Sequence, residues 1–268
     1  MFMKKILSLL VLFVCSLNVQ AQDSIKVKLL NSENLAKGQL FVGKDIYDST
    51  YLTEEGNVFK KVTRYTSVNF SNKNKGALTQ VDFSNPLQIL LFFKEDKSVV
   101  ILNKDLAPVG TVEFGEKFPS MEMEYLSNST KRNYWIVNSV NRSVSLYSST
   151  TYELHRVFTL PEGRIKNYYS LPQAFFYVDD KNIIHAVGLT GKTIFDYALP
   201  TNYDQIQIID LQKLIYSYQN KMYYVDLVQN KVYPIAVPEK SISSFFYNTQ
   251  KLSIFAEQKI NNYLIKLP

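Results

Sequence analysis

The sequence predicts an all-β protein folded as a β-propeller, and three observations carry that prediction. The 268 residues are 46% hydrophobic, 14% aromatic and 20% charged, with 19 Tyr and 17 Phe against one Trp. Such a chain can bury a core, and its aromatic side chains fit a pleated surface better than a helix. Short runs rich in aromatic and β-branched residues recur between polar turn residues, the pattern of strands joined by hairpins. Those runs return in groups with a beat near forty residues.

Residues 1–21 read as a cleaved secretory signal peptide: Lys4 and Lys5, an apolar stretch from Ile6 to Leu17, then Val19-Gln20-Ala21 ahead of Gln22. The stretch is shorter than the roughly 20 apolar residues that span a bilayer. Leu12-Phe13-Val14-Cys15 resembles a lipoprotein box, but Val14 stands where that box has a small residue. Cleavage leaves residues 22–268 as a single propeller domain without cysteine, so its stability must come from its core. Losing Lys4 and Lys5 takes the basic count from 30 to 28 against 24 acids, a formal charge of +4 instead of +6. The remaining basic residues are spread along the chain, which fits a solvated surface and not a nucleic-acid footprint.

After the leader, Ser24-Ile-Lys-Val-Lys-Leu-Leu30 alternates as a strand. Trios of strands then follow, as in Ala174 to Asp180, Asn182 to Val187 and Lys192 to Pro200, copied by Lys213 to Asn220, Lys221 to Leu227 and Lys231 to Pro238. Upstream copies run through Ile89 to Phe93, Ser98 to Leu102 and Pro108 to Phe114, and through Tyr134 to Val137, Ser143 to Tyr147 and Glu153 to Pro161. One further strand precedes each trio, starting at Gln39, Leu78, Met121, Arg164, Asp204 and Ile242, at intervals of 39, 43, 43, 40 and 38 residues. Four strands in about forty residues make a propeller blade. The expectation is a six-bladed propeller with four antiparallel strands per blade. The last blade is one strand short, and the strand at 24–30 supplies it and closes the ring. Residues 39–71 keep the beat loosely, so five or seven blades also fit.

Ala77-Leu-Thr-Gln-Val-Asp-Phe-Ser-Asn-Pro86, followed by a hairpin and Val99-Val-Ile-Leu102, resembles a WD40 or YVTN-like repeat without the Trp-Asp signature. The resemblance implies a bacterial envelope β-propeller repeat protein, an architecture that hosts both binding proteins and enzymes.

Catalytic motifs are scarce. Ala186-Val-Gly-Leu-Thr-Gly-Lys-Thr193 matches a relaxed phosphate loop, yet Ile194 to Leu199 reads as a strand where a phosphate loop needs a helix. The two histidines, His155 and His185, fall short of the three or four ligands that zinc takes, and no Gly-x-Ser-x-Gly elbow occurs. Glu54-Glu55, Glu95-Asp96 and Asp179-Asp180 sit at expected hairpin tips, where acids serve turn chemistry or, if two face each other, glycoside hydrolysis. Asp48-Ser49-Thr50 resembles a bacterial O-glycosylation triplet and reads equally as part of a strand. No catalytic residue, metal, nucleotide or other cofactor is expected.

The loops entering the inner strands would share one face, on which Lys73, Lys75, Lys117, Phe118, Arg164, Tyr203 and Lys240 give a basic, partly aromatic character. The first functional expectation is a non-catalytic exported interaction module. It would bind an envelope protein as a periplasmic cap, plug or accessory subunit of an outer-membrane transport or secretion complex. Its place would be the periplasm, the periplasmic face of the outer membrane, or the cell surface and medium. The alternative is a carbohydrate-binding or glycan-processing propeller.

Overall fold

The computed structural model describes residues 24–55 and 57–268. The expected signal peptide at residues 1–21, with Cys15, lies outside the described residues. Four separate four-stranded blades come first. They are β2 (Leu40–Lys44), β3 (Thr50–Glu54), β4 (Val58–Val62) and β5 (Ser67–Ser71); β6 (Gln80–Asp82), β7 (Ile89–Phe93), β8 (Ser98–Leu102) and β9 (Pro108–Glu113); β10 (Met123–Asn128), β11 (Asn133–Asn138), β12 (Ser143–Ser148) and β13 (Leu154–Thr159); and β14 (Ile165–Leu171), β15 (Ala174–Asp179), β16 (Ile183–Gly188) and β17 (Thr193–Ala198). An eight-stranded sheet completes the molecule. Its leading wing is β18 (Gln205–Ile208), β19 (Lys213–Tyr218), β20 (Lys221–Asp226) and β21 (Lys231–Ala236), and its closing wing is β22 (Ser244–Asn248), β23 (Lys251–Ala256), β24 (Lys259–Ile265) and β1 (Ile25–Asn34).

This corrects the expected blade count. Six discrete four-stranded blades are not formed; four are, together with one eight-stranded sheet. The reason is that β1 uses both of its edges. It pairs antiparallel with β24 from Val27↔Ile265 to Asn34↔Lys259, and its first residues run parallel to β21 through Ile25↔Ile235 and Lys26↔Ala236. An outer edge that would otherwise offer unpaired N–H and C=O groups is thereby partly covered.

The inner strands are β2, β6, β10, β14, β18 and β22; β10 touches β6 and β14, β18 touches β14 and β22, and β2 touches β22. The expected inner-strand starts fall within two residues of these. Second strands are sandwiched between blades on both faces, so they are continuous apolar runs and not alternating ones. Ile89-Leu-Leu-Phe-Phe93 is wholly buried, and Trp135 of β11 is fully covered and donates its indole N–H to Leu171 O of the next blade at 3.2 Å.

Inner strands expose one backbone edge to the channel, and glutamines satisfy part of it. Gln207 Nε2 donates to Tyr247 O at 2.7 Å while its Oε1 accepts from Tyr247 N at 2.6 Å. Gln205 does the same to Phe245 at 3.1 and 3.0 Å, and Gln80 donates to Leu126 O at 2.7 Å. Each amide continues the ladder from one inner strand to the next, as buried backbone groups require.

The ring closes where β2 meets the closing wing. Gly43 has Phe83 and Phe246 on top of it; a Cβ there would lie 2.4 Å from Phe83 Cζ, and the two rings pack 5.3 Å apart, centroid to centroid. Lys44 Nζ reaches Glu33 of β1 at 2.6 Å, and Asn262 Nδ2 donates to the same carboxylate at 2.7 Å. Among the described residues no helix is long and apolar enough to cross a membrane.

Candidate functional site

One face of the ring carries the loops that enter the inner strands and the turns between second and third strands. The turns grip the loops. Asn57, at φ 61°, donates to Gly76 O at 2.7 Å and accepts from Leu78 N at 2.8 Å. Asp96 accepts from Gly76 N at 2.7 Å, Asn220 accepts from Ile242 N at 3.0 Å, and Asn182 pairs with Asn202 at 2.7 Å. Short polar side chains that tolerate left-handed backbone thus make the face rigid.

At the channel mouth on this face lies a hollow of about 700 Å³. Its basic groups are Arg142, Arg164 and Lys166, and its tyrosines are Tyr125 of β10 and Tyr168 and Tyr169 of β14. Arg142 donates to Gly163 O at 2.8 Å, which fixes the loop that displays Arg164. Lys166 Nζ reaches Asn182 Oδ1 at 2.6 Å, and the acid in the lining, Glu124, pairs with Lys94 at 2.6 Å. Burial pushes the Tyr125 hydroxyl up to about 12 and raises Tyr169 and Tyr168 as well. These tyrosines stay neutral hydrogen-bonding groups at any physiological pH.

The seven residues expected on this face do not form one patch. Arg164 is exposed in the hollow's lining, and Tyr203 stands beside it, donating to Asn167 Oδ1 at 2.6 Å with its own hydroxyl pushed up to about 12 by burial. Lys240 belongs to a separate hollow of about 670 Å³ with Glu239 and Tyr263. Lys75 is tied to Glu113 at 3.0 Å and Lys73 is exposed. Lys117 and Phe118 follow β9 on or just after the short helix α1 (Phe114–Lys117) and turn into the groove between the second and third blades. There Lys117 Nζ lies 4.1 Å over the Tyr152 ring, and Phe118 packs on Phe114 and Tyr147.

Arg142, Lys166 and the three tyrosines escaped the sequence reading. The signal was there in Arg164-Ile-Lys-Asn-Tyr-Tyr169, where an inner strand carries polar residues and tyrosines that a doubly buried strand would not.

The motifs with possible chemistry fall into structural roles. The phosphate-loop match is a hairpin: Gly188 N donates to Lys192 O at 2.9 Å, and β17 follows at once. Gly191 sits at φ +78° with Val157 O only 2.5 Å from where a Cβ would be, so it is a turn glycine pressed against the neighbouring blade. His185, on a third strand, lies between Asp196 at 2.7 Å and Asp179 at 3.3 Å and stacks on Tyr177. Burial works against the Asp179 carboxylate, but the Ile183 N–H, His185 and the Lys181 N–H outweigh it and hold its pKa below the usual range. His155 is exposed on an outer strand beside Glu153. Glu54 takes Gln39 and Lys60, and Asp96 takes the Gly76 N–H, so these tip acids serve their turns. Ser49 and Thr50 are each 3% exposed, which leaves the glycosylation-like triplet inaccessible in the folded chain. Among the described residues no group of three His, Cys, Asp or Glu side chains is placed to hold a metal ion.

No protein-family model and no curated protein matches the sequence. Solved structures do resemble the fold. A catalytically inactive histidine-to-alanine variant of virginiamycin B lyase from Staphylococcus aureus, solved with quinupristin, is 13% identical with a TM-score of 0.56, over 92% of this chain and 97% of that one. The β-propeller domain of Cps50 (Swd1) from Myceliophteria thermophila is 7% identical with a TM-score of 0.61, over 90% of this chain and 100% of that one. A BBS1 N-terminal chain solved in complex with ARL6 is 11% identical with a TM-score of 0.55, over 82% and 76%. At such identities the likeness shows the β-propeller fold and nothing finer.

Proposed function

We propose that this chain is an exported, non-catalytic β-propeller that works as a protein-interaction module, a periplasmic cap or accessory subunit of an outer-membrane complex. The observation that carries the reading is the channel-mouth hollow. Arg142, Arg164 and Lys166 surround it with positive charge, three half-buried tyrosines anchored in the blade cores border it, and inner strands hold it. Arginine and tyrosine on a preorganised concave surface are what a protein interface concentrates at its centre. The complementary partner is an acidic or polar segment of an envelope protein, steered in by charge. Export rests on the leader at residues 1–21.

The non-catalytic part is supported by the placement of the histidines. Of the two histidines here, His155 is exposed on an outer strand, and His185 on a third strand is held between Asp196 and Asp179. The relative with a named protein partner, BBS1 with ARL6, supports the interaction reading by fold analogy.

The test is gentle detergent extraction of native envelopes, followed by sizing and identification of what travels with the full-length protein. Co-migration with one envelope protein is expected, lost in Arg164→Glu/Lys166→Glu and kept in Lys73→Glu. Release as a free monomer without detergent would overturn the subunit reading.

A further inference from the structure

A second concavity lies across the ring-closure seam, on the face opposite the channel-mouth hollow and independent of it. It holds about 600 Å³, within the ~300–1,000 Å³ range of small-molecule sites. Two exposed tyrosines stand in its lining, Tyr47 on the β2–β3 turn and Tyr65 on the β4–β5 turn, 75% and 86% exposed. Two exposed aromatic rings bordering one concavity offer faces that a ligand seated in it can cover.

Both tyrosines are displayed on turns stiffened in the same way. Asp45 Oδ1 accepts from Tyr47 N and from Ser49 N, each at 2.9 Å. Thr63 Oγ1 accepts from Tyr65 N at 3.2 Å and from Thr66 N at 2.9 Å. In each case a short polar side chain ties the backbone of the tyrosine two residues on, and Asp45 is itself buried, with Tyr51 OH and Lys61 Nζ on its other oxygen at 3.1 and 3.4 Å. A rigid aromatic display loses little entropy when a ligand lands on it.

The groove between the tyrosines is polar, and two ion pairs take up all of its charges except that of Arg64. Glu33 is paired with Lys44 and also takes Asn262 Nδ2 and Thr50 Oγ1, and Asp48 is paired with Lys251. Arg64 lies over the Tyr65 ring at 5.8 Å from its centroid. A lining with so little unmatched charge does not select an ion, and its polar floor does not select an apolar ligand. What it fits is a neutral ligand with many hydroxyl groups and C–H faces. Carboxylate, ammonium and amide groups accept from and donate to the hydroxyls, and the electron-rich ring faces take the slightly positive C–H edges.

We infer that the seam groove is a binding site for a neutral oligosaccharide, with Tyr47 and Tyr65 as stacking platforms and Asn31, Glu33, Asp48, Arg64 and Lys251 as hydroxyl partners. This goes beyond the protein-interaction reading and does not depend on it, because the two sites share no residue.

Isothermal titration and saturation-transfer NMR of the full-length protein with maltotriose, cellotriose, xylotriose and chitotriose test it, with trigalacturonate as the anionic comparison. Saturable binding of a neutral trisaccharide is expected, weakened about tenfold or more by Tyr47→Ala or Tyr65→Ala, the equivalent of ~1.4 kcal/mol per platform. Tyr65→Phe keeps the ring and should keep the affinity. Both tyrosines are solvent-exposed, so their variants should melt as the parent does. No binding of any neutral probe, binding of trigalacturonate alone, or binding unchanged in Tyr47→Ala/Tyr65→Ala would overturn the inference. Loss of the envelope partner in Arg164→Glu/Lys166→Glu would leave it untouched.

Discussion

Replacing Gly43 by alanine puts a single methyl group where the ring closes. The new Cβ would lie 2.4 Å from Phe83 Cζ and 2.8 Å from Phe246 Cδ2. Ordinary carbon–carbon contact is ~3.5–4.0 Å, so the methyl intrudes by about 1 Å on two rings at once. Neither ring can swing away freely. Phe83 also stacks on buried Tyr51 at 4.8 Å, and Tyr51 stacks in turn on Phe59 at 5.6 Å. Overpacking of this kind costs ~1–3 kcal/mol. In a domain of this size each kcal/mol moves the melting midpoint by ~2–4 °C, so Gly43→Ala should lower it by ~2–12 °C. Thermal unfolding followed by far-ultraviolet circular dichroism and calorimetry reads that shift. Phe83→Leu removes the atom that clashes, so Gly43→Ala/Phe83→Leu should lose at least ~1 kcal/mol less than the two single changes summed. An unshifted midpoint in Gly43→Ala, or strict additivity in the double variant, would refute the packing argument.

Asp45 gives a pH prediction. Burial opposes its ionisation, but the N–H groups of Ser49 and Tyr47 and the hydroxyls of Ser49 and Tyr51 more than offset that, so its folded pKa lies below the unfolded value. Its contribution is therefore present above the unfolded pKa of about 3.9 and is lost as pH falls through the folded one. The midpoint difference between parent and Asp45→Asn should shrink between pH ~5 and ~2, and a constant difference would sink the assignment. Deleting residues 24–34 removes every β1–β24 bond and the Glu33–Lys44 pair, and should abolish a cooperative melt; an unchanged melt would mean that β1 is not part of the closure. Gln207→Ala strips both backbone groups of Tyr247 of their partner, at a cost of ~1–3 kcal/mol measured by denaturant unfolding.

Much of the architecture was legible because each blade buries its second strand on both faces. That demands uninterrupted apolar runs such as Ile89 to Phe93 and Ala174 to Val178, and their spacing exposes the repeat. The pairing of the N-terminal strand was readable from the missing strand at the C-terminus. The merging of the last strands into one sheet was not, since it hangs on two parallel pairs, Ile25↔Ile235 and Lys26↔Ala236, that leave no pattern in the sequence. The site was less legible than the fold. Loop position put all seven expected residues on one face, but it could not show that Phe118 has a core to pack into or that Lys75 has Glu113 within reach. Those outcomes depend on neighbours about 30 to 40 residues away. The seam tyrosines were hidden for the same reason, because residues of β1 and the end of β4 come to line one groove only after the ring has formed.

The clasp between β1 and β24 joins residues more than two hundred positions apart, from Val27↔Ile265 to Asn34↔Lys259. In the order of synthesis, β1 must wait for more than two hundred further residues before β24 exists to pair with it. Every shorter length is a bracelet without its fastening, with one apolar flank of the growing stack still wet.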